Sequence, residues 1–211
     1  MKEKKMKKRN TTTESHYHNY SIMTDEKRKL SVDKDILQRI EKQFDYADRS
    51  KSKTFFMRYD VRLPKNMQHT DNKLFTSFQA VFMRNLTRQG LKPQYIAVRE
   101  QSREKHQHYH VALFLDGQKT QSVYNHINNA EKLWENKLGL PAREGGYGLI
   151  DDCTRSRDGK PQVNGVMLNP RDSDYEAKRN ECFYRASYLA KVNTKKTPQG
   201  QRGLFASRVP K

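Results

Sequence analysis

Two alternating apolar segments, about 93–101 and 107–116, are separated by only a short polar stretch, and that closeness restricts the fold more than any other feature of the chain. A parallel return would need a crossover of about a dozen residues or more, so the two segments are predicted to pair as an antiparallel hairpin. The second segment opens with His108-Tyr109-His110. Side chains at i and i+2 of a strand leave the same face, so both imidazoles are able to share one cation while Tyr109 turns to the other side.

A divalent cation held by two neutral imidazoles needs a further protein ligand, and a hard ion such as Mg²⁺ or Mn²⁺ takes oxygen there. If the hairpin closes evenly around 102–106, residue 100 lies across from residue 108, and Glu100 becomes the third ligand. A slip of one residue in register would bring Gln101 instead. A second His-x-His, His16-Tyr17-His18, lacks the strand-like flanks that would fix its rings and is not counted as a site.

Around the hairpin, helical periodicity of Ile36, Leu37, Ile40 and Phe44 predicts a helix over about 32–48, and Leu74, Phe75, Phe78, Val81, Phe82 and Leu86 predict another over about 71–89. Between them, 53–63 alternates, is rich in aromatic and β-branched residues, and is closed by Pro64, so it reads as a strand. A third helix is expected over about 121–138, short strands at 147–150 and 163–168, and a last helix over about 174–192. This order of elements, with adjacent antiparallel strands, predicts an α+β fold: a central antiparallel sheet of about five strands with helices packed on its faces. The division expected is a basic flexible arm at 1–30, one catalytic domain at 31–195 and a basic C-terminal tail at 196–211.

A formal charge of +18 on 211 residues calls for a polyanionic partner, and nucleic acid is the commonest. An acidic membrane would want a basic amphipathic helix, a lipidation signal or an apolar span beside the charge, and the sequence carries none of these. The protein is therefore expected to be soluble and intracellular. The cysteines, Cys153 and Cys182, are too few for a four-thiolate zinc site and suit a reducing compartment. There is no P-loop sequence to drive a motor with nucleotide.

In the last predicted helix, Tyr184, Tyr188, Lys191 and Lys195 are spaced i, i+4, i+7 and i+11, which puts two phenols and two ammoniums on one face. A phenol with a pKa near 10 is a poor nucleophile at neutral pH, and a cation beside it stabilises the phenolate and the charge that grows on a phosphate.

With these residues in view, the chain resembles the HUH superfamily of single-strand DNA nickases, which comprises rolling-circle replication initiators, relaxases and related transposases. His108-Tyr109-His110 is similar to its His-hydrophobic-His motif, and Tyr188-Leu189-Ala190-Lys191 to its Tyr-x-x-Lys motif. Tyr184 adds the Tyr-x-x-x-Tyr arrangement of two-tyrosine phage initiators. Over about 53–195 the chain looks most like the inovirus gene-2-type replication proteins, which share a domain with the prophage proteins YagK and YfjJ. That finer likeness is carried by Tyr59-Asp60-Val61-Arg62-Leu63-Pro64, Val98-Arg99-Glu100-Gln101 and the Tyr188 to Lys191 motif.

The resemblance implies an HUH endonuclease-like fold and a metal-dependent transesterase that starts rolling-circle replication of a phage or prophage element. Tyr188 would attack, Tyr184 would perform the second transfer and Lys191 would stabilise charge, with Mg²⁺ or Mn²⁺ on His108, His110 and Glu100. Its implied partners are single-stranded or hairpin origin DNA and a host helicase and polymerase, in the cytoplasm of a bacterial host. Two other readings stand beside it: a noncatalytic nucleic-acid-binding regulator that keeps the fold, and a transposase or relaxase of the same superfamily. The relaxase branch usually has a three-histidine site, and the further histidine here, His106, falls on the loop side of the strand.

Overall fold

The computed structural model describes residues 9–25, 30–64, 67, 71–101, 107–143, 145–156, 158–193, 195 and 200–210. In chain order the elements are β1 (Thr11–Thr12), β2 (His16–Tyr17), β3 (Tyr20–Ser21), β4 (Val32–Asp33), α1 (Lys34–Ser50), β5 (Thr54–Arg62), α2 (Lys73–Arg88), β6 (Gln94–Glu100) and β7 (His108–Asp116). They continue with α3 (Val123–Leu138), β8 (Ile150–Asp151), β9 (Val166–Leu168), α4 (Tyr175–Ser187), a 3₁₀ turn (Tyr188–Ala190) and β10 (Leu204–Ala206). The fold is α+β. An open antiparallel sheet of six strands runs β10-β6-β7-β5-β8, with β9 also paired to β5, and four helices pack against it.

Both faces of the sheet are covered, and strand periodicity sorts its residues between them. Tyr109, Val111, Leu113 and Leu115 of β7 join Met57, Tyr59 and Val61 of β5 in a core with Phe75, Phe78 and Phe82 of α2 and Trp134 of α3. Ala112 and Phe114, with Phe56, Ile96 and Val98, form the other core against Ile40 and Phe44 of α1 and Phe183 of α4. Phe44 lies at its centre, fully buried, with ring centroids 5.4 Å from Phe56, 4.9 Å from Phe114 and 5.7 Å from Phe183.

On this second face the strands turn polar toward one end. In β7 the same-face series runs Phe114, Ala112, His110, His108, in β5 Phe56, Arg58, Asp60, and in β6 Ile96, Val98, Glu100. The ladders pair Phe56 with Phe114, Asp60 with His110, and Glu100 with His108, so the three series are in step. A hydrophobic floor under α1 and α4 therefore gives way to a polar cluster carried on three central strands. Rigid backbone, not a loop, sets its spacing.

Local chemistry explains the helix limits. The Asp33 carboxylate accepts from the amides of Asp35 and Ile36 at 3.0 and 3.3 Å, which caps α1. Gly139, at φ 68°, ends α3 with Leu140 N–H returned to the Glu135 carbonyl. The last helix, expected to reach residue 192, stops at Ser187. The Ser187 hydroxyl donates to the Tyr184 carbonyl at 2.6 Å and accepts from the Met23 amide at 2.8 Å. Capture of a helix carbonyl by serine competes with the regular ladder, and the chain tightens into the 3₁₀ turn, then extends at Lys191 with ψ 131°.

Two expectations about the ends are corrected. The described part of 1–30 is packed against the domain: Thr11 and Thr12 pair with Asp33 and Val32, Tyr20 stacks on Phe183 at 3.9 Å, and Ile22 is 3% exposed. A few anchoring side chains suffice there, too few to give a periodic signal; residues 1–8 and 26–29 lie outside the described residues. At the other end, Leu204, Phe205 and Ala206 form the edge strand beside β6, and Phe205 is buried against Phe75 and Tyr109. That strand is why the sheet has six members and not about five. No described helix is long and apolar enough to cross a membrane.

Candidate functional site

The register of the hairpin answers the choice between Glu100 and Gln101. Glu100 is the direct partner of His108. Its Oε2 lies 3.5 Å from His108 Nε2 and 3.3 Å from His110 Nε2. Glu100, His108 and His110 each offer one ligand atom, and these atoms lie within 4.8 Å of one another. Gln101 is engaged elsewhere: its Oε1 accepts from Arg99 Nη2 at 2.8 Å.

Asp60, which the sequence reading passed over as a site residue, completes the arrangement from the neighbouring strand. Its Oδ1 lies 2.7 Å from His110 Nδ1. A proton held on Nδ1 leaves the Nε2 lone pair directed at the cluster, the way carboxylates commonly orient metal-binding histidines. His110 Nε2 is buried and faces Glu100 Oε2 at 3.3 Å without well-formed hydrogen-bond geometry, which suits two atoms that share a cation. Burial alone would raise the Asp60 carboxyl and lower His110. The neighbours prevail: His110, Arg58 and His108 bring Asp60 down to about 2, and Asp60 with Glu100 raises His110 above its ordinary value. Two imidazoles, a carboxylate and an orienting second carboxylate therefore fit a divalent cation.

The tyrosine turn lies against this cluster. The half-buried Tyr188 ring meets His110 edge to face at 5.0 Å between centroids. Arg58 Cζ is 5.2 Å and Lys191 Nζ 5.3 Å from the same ring. Burial raises the Tyr188 phenol pKa, Glu100 and Asp60 raise it further, and Arg58 opposes them. The two carboxylates that hinder ionisation are thus the ones a bound cation would offset.

The single helical face expected for four residues is not formed, because the helix ends before Tyr188. Lys191 reaches the Tyr188 ring from extended backbone. Tyr184 sits one turn back on α4, half-buried, and among the described residues its phenol makes no hydrogen bond or ring contact with the cluster. Lys195 is buried; its ammonium donates to the Leu189 carbonyl, its carbonyl accepts from Arg9 Nη2 at 2.7 Å, and its backbone bridges to Gln101. Burial lowers Lys195 to about 7, against the pull of Glu100. His106 lies outside the described residues.

In the N-terminal segment His16 lies in the short strand β2, paired with β3, and contacts Ser15 at 3.0 Å, while His18, at φ 49°, pairs with Glu41 at 2.9 Å. Arg58, like Asp60, was missed because 54–62 reads as an alternating strand, in which charged positions are ordinarily taken for the solvent side. The available signal was the pair Arg58 and Asp60, charged side chains two apart on the strand face that also carries Phe56.

Compared with known proteins, the sequence profile of the YagK/YfjJ C-terminal domain family matches residues 11–205. The match takes in both the N-terminal pairing at Thr11 and most of the edge strand β10. No curated protein and no solved structure matches the chain.

Proposed function

The chain belongs to the YagK/YfjJ C-terminal domain family, and from that premise we propose that it nicks and rejoins single-stranded DNA through a phosphotyrosine, as an HUH-type initiator of rolling-circle replication for a phage or prophage element. One observation carries the reading: the Tyr188 ring stands 5.0 Å from His110, on the cluster of Glu100, His108 and His110.

In this reading a stretch of origin DNA, single-stranded or extruded as a hairpin, is drawn to the basic surface of a chain with net charge +18. The Tyr188 hydroxyl attacks the scissile phosphorus in line. A bond from its oxygen to phosphorus forms as the bond to the 3′-oxygen breaks, leaving a 5′-phosphotyrosine and a free 3′-hydroxyl that takes up a proton. Glu100, His108 and His110 would hold Mg²⁺ or Mn²⁺, which supplies Lewis-acid stabilisation of phosphate charge and positions the strand. Lys191 places an ammonium beside the phenol and favours its anionic form. Tyr184, one helical turn away, serves the second transfer that closes a round.

The phosphodiester energy is kept in the protein linkage, so the step needs no ATP. Unwinding falls to a host helicase and extension to a host polymerase, in the bacterial cytoplasm where the DNA lies. The test is incubation with Mn²⁺ and labelled single-stranded origin DNA. A covalent adduct that survives denaturation is expected from the wild type and is lost in Tyr188→Phe. No adduct from the wild type would leave a DNA-binding regulator, and an adduct that persists in the double variant Tyr188→Phe/Tyr184→Phe would reject the tyrosine nickase.

A further inference from the structure

Two linked buried arginines, one of them against Tyr188, have little to neutralise them. Arg58 and Arg185 are each 6% exposed. Arg58 Nη1 donates to the Arg185 carbonyl at 3.1 Å, and Arg185 Nη2 donates to the Cys153 carbonyl at 2.9 Å and the Gln162 side chain at 3.3 Å. These acceptors are neutral. Among the described residues Arg185 has no carboxylate at ion-pair distance, and Arg58 has Asp60 only at 3.6 Å, an oxygen already taken by His110 at 2.7 Å. The Nε of each guanidinium is buried without a hydrogen-bond partner.

Arg179, six residues before Arg185 on α4, shows how this fold treats a buried arginine whose role is structural. It is 8% exposed and held by Asp45 and Asp48 at 2.8 and 2.9 Å. A buried charge without such a partner costs several kcal/mol in general, so two of them beside one another are retained for an anion that arrives from outside. Burial lowers the pKa of Arg185, and the Arg58 charge lowers it further, as expected of two cations that crowd each other. The arginine fork suits phosphate oxygens, which it can grip through two parallel N–H donors.

We infer that Arg58 and Arg185 form a phosphate-binding site beside Tyr188, and that its ligand is the non-bridging oxygens of a nucleic-acid phosphodiester. The inference rests on the reading of Tyr188 as the residue that meets the strand, and it adds a charge clamp on the protein side of the phosphate. Arg58 brings the clamp to the attacking residue, its Cζ 5.2 Å from the Tyr188 ring. Water is largely excluded there, so each guanidinium–phosphate contact is stronger than it would be at the surface.

The test uses inorganic phosphate as the probe, without metal and with chloride balancing ionic strength, so that neither cleavage nor bulk salt effects enter. Millimolar phosphate is expected to raise the melting temperature of the wild type and of Arg179→Gln, and to leave Arg58→Gln and Arg185→Gln unmoved. Phosphate is also expected to weaken single-stranded oligonucleotide binding by the wild type, which separates a strand phosphate from a free anion as the natural ligand. Should Arg58→Gln fail to fold, Arg185→Gln and the wild-type competition decide. No phosphate response in the wild type, an undiminished response in Arg185→Gln, or no competition with DNA would overturn the site. Because none of these readouts requires an adduct, a positive result in a protein that never forms one would keep the clamp and reject the nickase.

Discussion

Replacing Asp60 by Ala tests whether the cluster is a metal centre with an oriented ligand or a chance meeting of polar groups. Asp60 Oδ1 is 2.7 Å from His110 Nδ1, and the pair is almost wholly buried, so water cannot take over the carboxylate's place at full strength. Without it the ring loses the group that fixes its proton on Nδ1, and Nε2 becomes a weaker, less well-aimed donor. Loss of such an outer partner typically costs about 10–100-fold in metal affinity, or about 1.4–2.7 kcal/mol. Titration calorimetry with Mn²⁺ should give one site per chain in the wild type and a dissociation constant raised by that factor in Asp60→Ala. Asp60→Asn, which keeps an acceptor oxygen and loses the charge, should fall between them. A folded Asp60→Ala protein that binds Mn²⁺ within about twofold of the wild type would refute the reasoning, because second-partner effects of this kind are larger than that.

Three further outcomes follow from other parts of the fold. Glu100→Ala should abolish measurable Mn²⁺ binding in the same titration while Gln101→Ala leaves it intact, since only residue 100 faces His108 in the ladder. Phe44→Ala, which empties the middle of the core beneath α1 and α4, should lower stability by about 3–5 kcal/mol in urea unfolding. The buried Lys51 ammonium donates to Gln94 Oε1 at 2.6 Å, and burial lowers its pKa from 10.5 to about 8. The folded state therefore sheds this proton before the unfolded state does. Wild-type stability should gain on that of Lys51→Met as pH rises from about 8 to 10.5, which unfolding curves across that range would reveal.

The sequence made the imidazole pair and its carboxylate legible because all three sit on a hairpin whose short connection leaves few registers, and strand period then decides which side chains share a face. The helix patterns were legible for the same kind of reason: Phe44 or Phe82 recurs with its neighbours at helical spacing and has one apolar face to bury. The end of α4 was not, because the interruption comes from Ser187, which is held by the Met23 amide from far along the chain. Thr11, Thr12 and 204–206 were hidden because their pairing partners lie well along the chain, the hairpin at 16–21 because its strands are two residues long, and the anchors are single residues such as Tyr20 and Phe205. Asp60 reaches His110 only across the β5–β7 ladder, so its role emerges once that strand pairing is known.

The account stands on a cation, a ligand triad and a phenol meeting in one place, and crystals soaked in Mn²⁺ test this most directly. The predicted result is one anomalous peak bonded to Glu100, His108 and His110, with the Tyr188 hydroxyl turned toward it. A peak elsewhere, or a cluster that takes Mn²⁺ while Tyr188 faces away, would contradict it.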